Sequence, residues 1–227
     1  MFRILSLFML LPLAGTAIAQ TVSPSSIQAT GTATVNAKPD QVQLDVAVVT
    51  QAATAASAGQ QNATQTNAMI AALQQVLGKS GTIETVGYWL SPRYSTAANQ
   101  TSVIVGYTAQ NTVRATSYDL SLAGPLIDVA NQAGAGSVGG LTFGLQDSEP
   151  TRLQALTLAA KQAQAHAAAI AAGTGGKTGA VLSAVEGTYN SPSPIYTAAG
   201  GASSSTPVVS GTVSVTATVT ITMQLLQ

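Results

Sequence analysis

Cysteine is absent from the 227 residues. That excludes disulfides, thiolate metal sites and cysteine nucleophiles, so the chain must be held by its core or by assembly. Charge is scarce too: eight Lys/Arg and eight Asp/Glu make up 7% of the chain, with a formal net charge of zero. These charges are scattered, so there is no basic face for nucleic acid and no polybasic segment for a membrane surface. Polarity rests instead on Thr, Ser, Gln and Asn, and the weak charge repulsion favours self-association. There is a single histidine, one Trp, six Tyr and three Phe. After the first residues no apolar run approaches the ~20 residues that a membrane-crossing helix needs.

What is present begins with "MFRILSLFMLLPLAGTAIAQ". One basic residue, Arg3, precedes an apolar run from Ile4 to Leu13, and small residues lead to Ala17-Ile18-Ala19. This order is that of a secretory signal peptide with cleavage after Ala19, which places the mature chain in the periplasm or outside the cell. The run is too short for a retained anchor. Residues 20–28 are then a polar lead-in to a single domain over 29–227.

"GTATVNAKPDQVQLDVAVVTQ" gives two extended runs that bend at Lys38-Pro39-Asp40, with Val42, Leu44, Val46 and Val48 on one face. Ala52 to Gly78 reads as a helix, Ala-faced in its first half and carrying Met69, Leu73 and Val76 in its second, stopped by Gly78. "TIETVGYWLSPRYS" and "SVIVGYTAQNTVRATS" read as an antiparallel hairpin joined through 96–101. A short helix at 122–133 ends in "GAGSVGG", and "LTFGLQD" follows as a strand. Ser148, Glu149 and Pro150 form a helix start, with Ser148 as the expected N-cap. That helix runs to residue 172 with a seam of Leu153, Leu156, Ala160, Ala163, Ala167 and Ile170. "AVLSAVEGTY" is a strand, 190–207 a flexible loop, and "GTVSVTATVTITMQLLQ" a strict alternation that closes the chain. The fold class expected is α+β: mainly antiparallel sheet packed against long Ala-rich helices.

In that order these segments resemble the SIMPL domain family, a family of unknown function. The resemblance is carried by "GTATVNAKPDQVQLDVAV", a helix ending "MIAALQQVLGKSG", "IETVGYWLSPRY", "GYTAQNTVRATSYDLSLAGPLIDVANQAGA", "VGGLTFGLQD" and the Gly-led last strand. It implies an exported α+β protein that assembles with itself, in some relatives as ring- or channel-like bodies, with a link to oxidative-stress tolerance in the bacterial envelope. It supplies no catalytic residues. The segment "IETVGYWLSPRY" and the Ser/Gly-rich loop before the last strand both depart from the family pattern.

No residue set here composes a catalytic, cofactor or metal site, and no enzyme activity is expected. His166 has no acidic residue three or four positions away and reads as a surface or interface histidine. Asp147 and Glu149 sit at a strand-to-helix junction, where capping explains them better than paired acid/base work. Asp40, Asp119 and Asp128 have similar explanations. Gly134 to Gly140 lacks the spacing of a phosphate loop or dinucleotide fingerprint and reads as a helix stop. Asn62-Ala63-Thr64 and Asn99-Gln100-Thr101 match the glycan acceptor pattern by chance frequency.

The densest aromatic group is Tyr88, Trp89 and Tyr94, with Arg93 among them. The plainer reading places Trp89 in the core with the tyrosines at strand ends. The other makes these four residues an interface, since aromatics and Arg bury large area while keeping a polar handle. The leading functional expectation is thus a non-catalytic, exported homo-oligomer. The alternatives are a channel-like or outer-membrane-associated protein, supported by the last strand, and a hydrolase or binding module using the Asp/Glu pairs. About seven candidate strands, fewer than the eight of the smallest bacterial barrels, and two long helices argue against a barrel.

Overall fold

A computed structural model describes residues 25–95, 102–187, 193–195, 206 and 208–227. The expected signal peptide, the 96–101 connection, the Asn99 acceptor pattern and most of the 190–207 loop lie outside the described residues.

The chain forms an α+β fold with two separate, open antiparallel sheets. Strand β1 (Ser26–Ala37) does not pair with β2 (Gln41–Ala52), because Lys38-Pro39-Asp40 carries the chain from one sheet to the other. The bend is pinned: the Asp40 N–H donates to the Gly144 carbonyl (3.0 Å) and its carboxylate accepts the Gln146 N–H (2.7 Å).

The first sheet sets β8 (Thr212–Leu226) between β1 and β6 (Lys177–Glu186), with the short β7 (Ser193–Ile195) also on β8. In register, Gly31 opposes Val219 and Ala33 opposes Ala217. The strand beginning "GTATV" is thus the partner of the strict alternation that ends the chain. Val213, Val215, Ala217, Val219, Ile221 and Met223 are buried on one face. On the other face Thr30, Thr32 and Thr34 pair hydroxyl to hydroxyl with Thr220, Thr218 and Thr216 at 3.0, 3.1 and 2.8 Å. Cross-strand threonine pairs suit a sheet with one dry and one wet face.

Helix α3 (Glu149–Gly173) covers the dry face. Its buried line is Ala155, Ala159, Ala163, Ala167 and Ala171, all fully buried. Of the expected seam only Ala163 and Ala167 lie on this line, flanked by the half-buried Leu156 and Ala160. Leu153 and Ile170 are exposed. The reason is distance. A Cβ added to Gly31 would lie 2.1 Å from the Ala159 carbonyl oxygen and 2.5 Å from the Ala163 nitrogen. The helix backbone rests on the strand backbone, and only alanines spaced four apart fit between them. The helix start also differs from expectation: Asp147, rather than Ser148, takes the Glu149 N–H (2.9 Å), because Ser148 already has helical dihedrals (φ −86°, ψ −9°) and makes no side-chain cap.

The second sheet runs β3 (Gly81–Tyr94), β4 (Ile104–Ser117), β2, β5 (Ser137–Gly144). Strands β3 and β4 form the expected hairpin. Strand β5 starts inside the glycine run rather than after it. Gly134 (φ 80°) ends helix α2 (Ala123–Gln132), and Gly140 (φ 65°) bends the new strand over Asp45. Helix α1 (Ala55–Leu77) is capped by the Thr54 hydroxyl and stopped by Gly78 at φ 55°. It packs Met69, Leu73 and Leu77 against Leu44, Val46, Val48, Val113 and Leu126. Its first half is not Ala-faced alone. Asn62 is fully buried and donates to the Val48 (2.9 Å) and Ala109 (3.2 Å) carbonyls, with Thr66 beside it. That burial also keeps Asn62 from serving as a glycan acceptor in the folded chain.

Candidate interaction surface

The first part of β4 and the last part of β3, together an arm, carry exposed apolar side chains. Trp89 is 59% exposed, Tyr94 53% and Tyr88 51%. Leu90, Val103, Ile104 and Val105 are also exposed, as is Arg93. Trp89 therefore does not fill the core. The bulge between Thr85 and Gly87 shifts the alternation of β3 by one residue, so Trp89 lies on the face away from α1 although Ile83 faces the hydrophobic cluster beneath that helix.

The four candidates divide between the two faces of the arm. Register on β4 puts Trp89 opposite Gln110 and Arg93 opposite Gly106, whereas Tyr88 opposes Asn111 on the side of α1. The indole is positioned by Gly87. A Cβ at Gly87 would lie 2.3 Å from the Trp89 Cη2 atom, so the ring lies over a residue with no side chain. The Tyr88 hydroxyl reaches α1 at Gly59, 3.3 Å from where a Cβ would stand. Among the described residues, Asn111 Oδ1 is the buried side-chain oxygen that lacks a hydrogen-bond partner.

Charge near the arm sits on one sheet face. Arg114 holds Asp45 through two bonds, Nε to Oδ1 at 2.7 Å and a second nitrogen to Oδ2 at 2.8 Å. Glu84 is opposite Arg114 in register. The hydrogen bond to Asp45 raises the Arg114 pKa above its ordinary value, against the opposing effect of burial, with the charge of Glu84 adding to the rise.

The residues weighed for chemistry have structural partners. His166 donates from Nδ1 to the Thr30 carbonyl (2.8 Å), and Gln162 accepts the Thr32 N–H (2.7 Å). One turn apart on α3, they occupy backbone groups on the free edge of β1. Glu149 pairs with Arg152 at 2.6 Å, and Arg152 also bonds Glu186 of β6. The Arg152 hydrogen bond lowers the Glu149 pKa below the usual glutamate value. Asp119 caps the turn at Leu120–Leu122 by accepting the Ser121 hydroxyl (2.7 Å) and N–H (2.9 Å), and that hydroxyl bond lowers its pKa. Asp128 accepts from Thr206 at 2.7 Å. Among the described residues no three His, Asp or Glu side chains converge as metal ligands, and no helix is long and apolar enough to cross a membrane.

Sequence reasoning missed the pairing of α3 with the β1 edge and gave an exposed Trp89 only as its second reading. The Gln162–His166 pairing with β1 has a weak sequence signal in their four-residue spacing on an Ala-rich helix. The exposure of Trp89 had one in Gly87, two residues before it.

A family model described as SIMPL, a protein of unknown function (DUF541), matches residues 27–223. No curated protein matches the chain.

Proposed function

The chain belongs to the SIMPL family, whose function is unknown, and from that premise we propose that it is an exported, non-catalytic protein that assembles with copies of itself in the periplasm or envelope. The observation that carries this reading is the exposed β3–β4 arm, with Tyr88, Trp89, Arg93 and Tyr94 as contact residues. Aromatics with Arg are the residues that dominate protein interfaces, and here they stand exposed along an unpaired edge strand. The low charge supports the same reading, since little long-range repulsion opposes the approach of like chains. The signal-like N-terminus supports export. A role in stress tolerance rests on the resemblance alone, and a ring is one closure that repeated contacts allow.

The test is the mass of residues 20–227 by size exclusion with light scattering over a range of concentrations. A mass that is a multiple of the monomer is expected. A monomer at every concentration overturns the assembly reading.

A second reading has one observation in its favour: the same apolar arm can meet lipid, as an outer-membrane-associated protein would require. Both sheets are open paths with free edges among the described residues, which disfavours a spanning barrel. Carbonate extraction separates the two readings, because an assembly held by protein contacts is released and a lipid-embedded arm is not.

A further inference from the structure

Strand β3 is the outermost strand of the second sheet, so its outer edge carries no neighbouring strand among the described residues. We propose that β3 pairs antiparallel with β3 of a second copy, about a two-fold axis passing through Trp89; this rests on the self-assembly reading above. An antiparallel pair of identical strands has its axis perpendicular to the sheet, so opposed residues must come from the same face. The faces of β3 follow from its register on β4. Glu84, Gly87, Trp89, Ser91 and Arg93 oppose Arg114, Thr112, Gln110, Thr108 and Gly106, while Tyr88 and Leu90 lie on the other face.

With Trp89 opposite itself, Gly87 meets Ser91 of the second copy and Tyr88 meets Leu90. The register of β3 shifts between Thr85 and Gly87, with Val86 as the extra residue. Counting past that residue brings Thr85 opposite Pro92 and Glu84 opposite Arg93. Each dimer then gains two Glu84–Arg93 pairs, and all opposed residues lie on matching faces. Without the bulge Glu84 would miss Arg93 by one position and fall on the wrong face. Small residues at 87 and 91 leave room for the two indoles that lie over Gly87. Pro92 has no N–H to donate and is tolerated on an edge strand, as β3 is.

The remaining edges fit less well. His166 and Gln162 occupy the edge of β1. Strand β6 exposes Val181, Leu182 and Val185, but its Glu186 is held by Arg152 and its register shifts twice.

Because the chain has no cysteine, single-cysteine variants report the register directly. Trp89→Cys should form a covalent dimer on mild oxidation, since opposed positions lie within disulfide reach. Ser91→Cys should not, because its copy lies four positions away along the strand, about 13 Å. Should loss of the indole weaken assembly, Glu84→Cys/Arg93→Cys keeps Trp89 and should give a doubly linked dimer; within one chain these positions are about 30 Å apart. Glu84→Arg and Arg93→Glu should each weaken dimerisation at least ~10-fold, and the double reversal should restore it. If the wild-type chain assembles but neither the Trp89→Cys variant nor the Glu84→Cys/Arg93→Cys variant cross-links, the β3 pairing is overturned and assembly stands. If the wild-type chain is monomeric, the assembly reading itself falls.

Discussion

Helix α3 on the first sheet and the arm of the second sheet dispose of apolar surface in opposite ways. On the first, five alanines and a glycine bring backbone against backbone, and two polar side chains of the helix occupy the free strand edge. On the second, the indole of Trp89 faces away from the helix, and β3 shows Tyr88, Trp89 and Leu90 on an unpaired edge. A sheet edge with its hydrogen-bonding groups occupied does not recruit another strand, whereas an apolar unpaired edge does. The two regions thus separate what folds the chain from what joins it to another.

That separation breaks most severely at Gly31. Gly31→Val would drive methyl groups into the Ala159 and Ala163 backbone, costing ~3 kcal/mol or more and lifting α3 from its sheet. Urea unfolding should show a large fall in midpoint, or no soluble folded protein. At the root of the arm, Asn62→Ala removes two hydrogen bonds from buried carbonyls and should cost ~2 kcal/mol by the same measurement. His166→Ala should cost less, ~1 kcal/mol, but it frees the Thr30 carbonyl. Hydrogen exchange at β1 should rise, with α1 unchanged. Trp89→Ser should leave unfolding within ~0.5 kcal/mol of wild type while lowering the mass in solution. If Trp89→Ser destabilises the fold as Asn62→Ala does, the arm belongs to the core and the contrast fails.

The smallest effect is electrostatic. Arg152 lowers the pKa of Glu149 in the folded state, so the stabilisation is present above the ordinary glutamate value of about 4.3 and fades as pH falls through the lowered folded value. Glu149→Gln should flatten the acid limb of the stability profile slightly and leave β3 exposure unchanged. A wild-type acid limb identical to that of the variant would count against this pair.

Much of the fold was legible because it rests on periodicity. Alternation in Val213 to Met223, the helical spacing of Met69 and Leu73, and the punctuation at Pro39 and Gly78 each have a local cause that the sequence displays. The misreadings arose where the cause is tertiary. Leu153 and Ile170 look like better core residues than alanine, and only the close approach at Gly31 makes alanine the one that fits. Trp89 looks like a core residue by type, and only the bulge at Val86, which turns it to the sheet face opposite α1, leaves it outside. The contact of His166 with Thr30 joins residues 136 positions apart, which no local pattern reveals.

The most direct test compares light-scattering mass for the wild-type chain and Trp89→Ser at matched concentration, with thermal melts run in parallel. The account predicts a multiple of the monomer mass for the wild type, a lower mass for the variant, and melts that converge once dilution dissociates the wild type. A wild-type monomer, or a variant that keeps the full assembled mass, would contradict it.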